Sequence, residues 1–362
     1  MQTPWGRLED LDLTDHDLAA EILGADKHQL IEGLVVECLF DQIVTKIPTD
    51  SEQRVLSVDV ESVVVDTGRE IERWVSLVWA RSRGDGLGRY LRLLEKCFVP
   101  YLVDYQNGEF RAARVRNGAE LDKTIPLLEL MQELSRKRVT PFQVDKLVKN
   151  QKRQRQAFWG FISEYYGSEV GTRVILPRIL INCAIQPYFR SVWNLDRIFL
   201  VGDDIWLFEV KHKYPMGGRS LRFGINVGEL GVLDRLAGAG IRCLHTILVK
   251  PYWSKDVGSM YLMNDLDMRA RAALIATVLD KSRTKQIMRQ QSAQSAAHTS
   301  ITGTSTLSYK SIEASEFHEL GQLSDGAERL ASRMAAVMNG TIANPVRQEW
   351  LERLRFRDSE RS

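Results

Sequence analysis

Between Asn194 and Lys213 two apolar runs, Leu195 to Val201 and Ile205 to Lys213, flank Gly202-Asp203-Asp204. Glycine and aspartate supply the backbone freedom and local hydrogen bonding of a tight turn, so the pattern predicts a β-hairpin. The elements around it narrow the fold. Gln156 to Ile175 has helical spacing and is rich in aromatics (Phe158, Trp159, Phe161, Tyr165, Tyr166), and Ile179 to Ile185 predicts a buried strand. After the hairpin, Gly224 to Ala239 reads as a helix with Leu230, Leu233 and Leu236 on one side, and Ile241 to Lys250 as a strand closed by Pro251. Helix, strand, hairpin, crossover helix and strand imply an α/β fold with a mixed central sheet flanked by helices.

The rest of the chain is less regular. Leu11 to Phe40 has apolar residues at helical spacing (Leu18, Ile22, Leu30, Leu34), with Asp15 or Asp17 as a cap, and Val55 to Val65 reads as strand. Glu70 to Cys97 has a helical pattern interrupted at Arg83-Gly84-Asp85-Gly86, and Thr124 to Arg138 reads as a helix with Pro126 in its first turn. Residues 1–140 therefore form an accessory α/β region. Gln290 to Ser311 is rich in Ser, Thr, Gln and Ala and almost uncharged, which predicts a flexible linker over 286–311. Ile312 to Met338 and Arg347 to Phe356 then predict a helical tail over 312–362, able to dock on the body or on another protomer.

Composition excludes several classes. With 44% hydrophobic residues the chain can bury a core. Met1 to Ala20 carries Asp10, Asp12, Asp15 and Asp17 and no apolar segment, which argues against a secretory or organellar leader; no run approaches a membrane span, and a cytoplasmic location is expected. Cys38, Cys97, Cys183 and Cys243 are widely spaced among apolar neighbours, consistent with reduced thiols rather than a zinc site.

The 49 basic and 47 acidic residues are unevenly placed. Residues 1–50 hold 11 acids and 3 bases, whereas 101–300 hold 30 bases and 19 acids. The densest stretch runs from Arg136 to Arg155 and includes Lys149, Lys152 and Arg153. It reads as a polyanion contact or, more blandly, as a solvated helical face. The aromatics of Gln156 to Ile175 have a similar pair of readings, base stacking or core, and helical spacing favours core.

Within the apolar hairpin, charges need a reason. Glu209 and Lys211 are two residues apart on one strand and share a face. Asp196, at the start of the partner strand, comes near them. The bland reading is an exposed cross-strand ion pair. The chemical reading is metal-assisted phosphodiester hydrolysis, with Asp196, Glu209 and the carbonyl of Val210 as oxygen ligands for Mg²⁺. Lys211 then positions a water or stabilises charge on the phosphate. Lys213 shares that face, and Arg219 and Arg222 in the following loop are candidate contacts for a nucleic-acid backbone. His212 is expected on the opposite face in a structural role.

Asp196, twelve intervening residues and Glu209-Val210-Lys211 resemble the D…(D/E)xK signature of the PD-(D/E)XK, or restriction-endonuclease-like, nuclease superfamily. The resemblance covers about a hundred residues. It implies an αβββαβ core, placed over 141–285, and a nuclease acting on DNA more readily than RNA with Mg²⁺ (Mn²⁺ substituting). One departure is Leu195, where proline often precedes the aspartate. The resemblance also implies an acidic residue on the preceding helix, Glu164 or, by preference, Glu169, and a polar residue on the crossover helix, Glu229 or Asn226. The accessory region and tail would serve substrate selection, regulation or assembly with a partner protein or a second copy, as in host-defence or mobile-element systems. The other reading is a catalytically inert nucleic-acid-binding or assembly subunit on the same fold.

Overall fold

The hairpin forms as its turn composition predicts. In the computed structural model, which describes residues 1–24, 30–48, 55–136, 139–140, 155–254, 257–295 and 307–357, Arg197–Val201 pairs antiparallel with Asp204–Lys213 around a turn in which Gly202 has φ +57°. In chain order the main elements are helices α1 (His16–Gly24) and α2 (Leu30–Val44), strands β1 (Val55–Val58), β2 (Val60–Asp66) and β3 (Trp74–Ala80), and helix α3 (Leu87–Leu94). Strands β4 (Val99–Gln106), β5 (Glu109–Arg116) and β6 (Ala119–Pro126) precede helix α4 (Leu127–Leu134) and a long helical run, α5, over 155–188. Next come β7 (Val192–Leu195), β8 (Arg197–Val201), β9 (Asp204–Lys213), β10 (Arg222–Asn226), α6 (Val227–Ala239) and β11 (Arg242–Val249). The chain ends with β12 (Ala273–Leu279), α7 (Lys281–Arg289), β13 (Ser308–Glu313), β14 (His318–Gln322), α8 (Ala327–Met338) and α9 (Gln348–Leu354).

Two six-stranded mixed sheets organise the molecule. The central sheet has the order β14-β12-β11-β9-β8-β1, and the N-terminal sheet the order β6-β5-β4-β3-β2-β7. In the central sheet β9 and β11 are parallel, joined across α6, and every other pairing is antiparallel. Alternation along β9 separates two cores. Trp206, Phe208 and Val210 pack with residues of α2, α5 and α8, while Ile205 and Leu207 pack with α3 and α6. The sheet is thus covered by helices on both faces, as expected for a parallel crossover. A smaller sheet of β10, β13 and Ala293–Gln294 lies alongside.

The two large sheets share two kinked strands. β1 and β2 are one extended stretch broken at Asp59, and β7 and β8 are another broken at Asp196. Past each break the chain changes sheet: β1 pairs with β8 in the central sheet, and β2 pairs with β7 in the N-terminal one. The division expected near residue 140 is therefore crossed by both strands.

Several expected elements differ. Ile179 to Ile185 is helical, part of α5, not a strand. It is buried on nearly every side, so its apolar run carries no 3.6-residue period to distinguish it from a buried strand. The first strand after the helix is instead β7. Trp74 to Ala80, inside the pattern expected to be helical, is the inner strand β3, where both faces are covered and alternation is lost. The expected helix from Thr124 begins only at Leu127, after Pro126 has closed β6. The linker expected over 286–311 is entered from both sides, by α7 and by β13, with 296–306 outside the described residues. The tail over 312–362 is not purely helical: β13 extends to Glu313, and β14 forms an edge of the central sheet, while α8 and α9 are helical as expected.

Candidate active site

Asp196, Glu209 and Lys211 meet where the chain passes from β7 in the N-terminal sheet to β8 in the central one. The ladder runs to Arg197 opposite Phe208, so the next position places Asp196 across from Glu209. With no strand residue left to pair there, the Val210 N–H donates to Asp196 Oδ2 at 3.0 Å. Glu209 and Lys211 project from the same face of β9, toward α6, and their side chains are in direct contact. Glu209 is 3% exposed, Lys211 27%. From α6, Glu229 brings Oε1 to 3.6 Å from Lys211 Nζ. That oxygen is buried with no hydrogen-bond partner, although the lysine lies within ion-pair range.

The cluster is a set of charged groups largely withdrawn from the surface. Burial drives the Glu209 carboxyl well above its ordinary range, and Asp196 adds to the shift against the opposing pull of Lys211. Burial alone would depress Lys211, but Glu209, Glu229 and Asp196 hold its ammonium well above the usual lysine range. Glu229 would also rise on burial; Lys211, Lys213 and His245 outweigh this and lower it. His245 sits beside Glu209 in the parallel register of β9 and β11. Burial depresses its imidazole to about 3, leaving it neutral, and its Nδ1 has no partner.

The crossover helix separates the two residues considered for it. Asn226 is the N-cap of α6, its Oδ1 accepting from Gly228 N–H at 2.7 Å and Glu229 N–H at 3.3 Å. Glu229, one turn in, is the residue that reaches the cluster. Gly228 is needed between them, since a Cβ there would lie 2.8 Å from the Trp193 ring.

Other expected site residues fall elsewhere. Glu169 is not with the cluster: it lies on α5, 62% exposed, paired with Arg173 at 2.8 Å in a cleft on the other face of the central sheet. Glu164, the other candidate on that helix, is exposed and makes no described contact with the cluster. Lys213 follows Lys211 on the same face, but its ammonium is turned inward to the Gly224 carbonyl, and burial lowers its pKa. Arg219, in the loop after β9, and Arg222, the first residue of β10, are both exposed, and a bridge between Met216 and Arg222 closes that loop. Arg155 is exposed at the start of α5, while Lys149, Lys152 and Arg153 lie outside the described residues. His212 points to the opposite face, within 2.8 Å of the Tyr261 hydroxyl, as strand alternation requires.

Sequence reasoning did not find Arg197. Its guanidinium donates to the Asp196 carbonyl at 2.9 Å and pairs with Asp41 of α2 at 3.1 Å and Glu37 at 3.4 Å. Those partners are more than 150 residues away in the chain, and no local spacing signals them.

A divalent cation suits part of this donor set. Asp196 takes the Val210 amide on Oδ2 alone, and burial, with Asp196 beside it, raises the Glu209 carboxyl against the pull of Lys211, a shift that a bound cation would oppose. Two carboxylates and one backbone carbonyl would suit an open Mg²⁺ site completed by water. Among the described residues no group of three or more His, Cys, Asp or Glu is placed to hold a metal, and no helix is long and apolar enough to cross a membrane. No protein-family model, curated protein or solved structure matches this chain.

Proposed function

We propose that the protein is a metal-dependent nuclease that hydrolyses phosphodiester bonds, of DNA in the first instance, using Mg²⁺ or Mn²⁺. One observation carries the reading: Asp196 and Glu209, from adjacent strands, stand opposite each other with Lys211 on the same face. The order α5, β7, β8, β9, β10, α6, β11 is that of an αβββαβ core with one strand added, β10, which pairs with β13, and with β7 paired outside the central sheet.

Asp196, Glu209 and the Val210 carbonyl would hold the ion. When bound, it would polarise the phosphate and acidify a coordinated water. Lys211 stays protonated in this surrounding, which suits it to stabilise the developing phosphate charge and not to act as a base. The Val210 amide fixes the Asp196 carboxylate, and Glu229 holds Lys211 from the helix side. Exposed Arg155, Arg219 and Arg222 are available to the backbone of a nucleic acid.

The test is a cleavage panel of linear, circular and single-stranded DNA and RNA, with each metal. Lys211→Ala and Glu209→Gln should abolish cleavage while binding survives. Glu209→Gln is the cleaner variant, because Lys211→Ala strands a buried carboxyl at a cost of about 3 kcal/mol. A second reading, an inert nucleic-acid-binding or assembly subunit, is favoured by the direct Glu209–Lys211 contact and the near-complete burial of Glu209. It predicts salt-dependent binding without cleavage of any substrate. Cleavage that persists unchanged in Glu209→Gln would sink the nuclease reading of this cluster.

A further inference from the structure

A cavity of about 380 Å³ opens on the face of the central sheet opposite Glu209 and Lys211, between α2, α5 and the kink of β1 and β2. Its size is that of a small-ligand site, and it lies where the two large sheets join. Three of its guanidiniums are already paired. Arg197 holds Asp41 and Glu37, Arg81 holds Asp59 and Glu61 at 3.3 and 3.0 Å, and Arg173 holds Asp59 and Glu169. Arg178 is different. It is half-buried, lines the cavity, and among the described residues makes no hydrogen bond or salt bridge; its electrostatic neighbour is Glu37.

Two further groups complete a recognisable set. Tyr165 is 38% exposed and lines the same cavity, its ring held parallel to Phe161 at 6.0 Å. Glu37 shares the Arg197 guanidinium with Asp41. Burial lifts the Glu37 carboxyl to about 7, against the pull of Arg197. The cavity thus joins an aromatic surface, a free guanidinium and carboxyls able to accept hydrogen bonds.

We propose that this cavity binds a free nucleotide. The base stacks on Tyr165, its amino and ring N–H groups donate to Glu37 and Asp41, and its phosphate meets Arg178. The carboxyls favour a base with an exocyclic amino group beside a ring N–H, so guanine suits the site better than uracil. The site is distinct from Asp196, Glu209 and Lys211, and its occupancy does not depend on the nuclease reading.

Calorimetric titration of the full chain with GMP, UMP, ribose 5-phosphate and inorganic phosphate tests this. GMP should bind with Kd below about 1 mM, and UMP at least about tenfold more weakly. Arg178→Ala and Tyr165→Ala should each weaken GMP at least about tenfold. Arg178 pulls on Glu37 without a direct ion pair, so its truncation should shift the melting temperature slightly and keep a single cooperative transition, which checks that lost binding is not lost folding. Glu209→Gln should bind GMP as wild type does, whether or not the protein cleaves DNA. The proposal is overturned if no nucleotide binds, if inorganic phosphate binds as tightly as GMP, if both cavity variants bind normally, or if Glu209→Gln loses binding.

Discussion

Glu37, half-buried on α2, and Glu209, buried on β9, are carboxyls on opposite sides of one sheet, and both are held in a more protonated state than water would allow. Only one was legible in the sequence. Glu209 and Lys211 sit at strand spacing inside an apolar hairpin, where unpaired charge is costly, so their two-residue separation announces a shared face. Glu37 carries no such signal, because its importance comes from Arg197, 160 residues away. Glu169 was misplaced for a related reason: α5 contains wide turns at 158–162, 171–175 and 180–185, so helical periodicity does not forecast which side of the sheet a residue meets. The Glu37 shift has a consequence for stability. A carboxyl whose folded pKa is raised binds its proton more tightly in the native state. Its contribution is complete below the ordinary value of 4.5 and is lost as pH rises through about 7. Desolvation is the main cause, with Asp196 and Asp41 adding to it and Arg197 and Arg178 opposing it. Glu37→Gln should remove this loss, so that between about pH 4.5 and pH 7 the wild type falls by about 2–3 kcal/mol relative to the variant. Urea denaturation across that range measures the difference; parallel curves would show that Glu37 ionises freely.

At the scale of elements, local chemistry was readable wherever one face of an element met solvent or a turn residue marked an end. The hairpin, α6 and β11 followed their patterns closely. The second half of α5 and strand β3 did not, because burial on all sides erases the period that distinguishes helix from strand. Strand β14 was hidden differently. His318 to Gln322 is short and mixed in polarity, and pairing with β12 rather than propensity makes it a strand. Asn226 shows how an element positions chemistry. Its side chain satisfies the first amides of α6 and so fixes where Glu229 emerges toward Lys211. Asn226→Ala should cost about 1 kcal/mol, with Asn226→Ser close to wild type. If the protein cleaves DNA, Asn226→Ala should also lower turnover while leaving substrate binding intact. Denaturant midpoints and initial rates on the two variants check this. A stability loss as large in Asn226→Ser as in Asn226→Ala would show that shape, and not the cap hydrogen bond, matters.

Over the whole molecule, the charge pattern suggested an acidic front and a basic centre, and the composition suggested separable regions. The sheets connect those regions more tightly than either implies. β1 belongs to the first 140 residues yet completes one edge of the central sheet beside β8, and β7 belongs to the later region yet completes an edge of the N-terminal sheet beside β2. Asp196 lies at one of the two kinks where this exchange occurs, which is why its carboxylate is free to take the Val210 amide. A fragment of residues 141–362 would therefore lose β1 and β2 together. It would present the unpaired edge of β8, strip Phe199, Phe208 and Val210 of the α2 side of their core, and leave β7 without a partner. Exposed edges and apolar faces of this kind favour aggregation. The fragment should accumulate as insoluble or oligomeric material without a cooperative melting transition, whereas adding residues 1–140 as a separate chain should restore some soluble complex. Size-exclusion chromatography and calorimetry decide the matter: a monomeric 141–362 fragment with a sharp transition would mean that the strand exchange is dispensable and that the site stands on the central sheet alone.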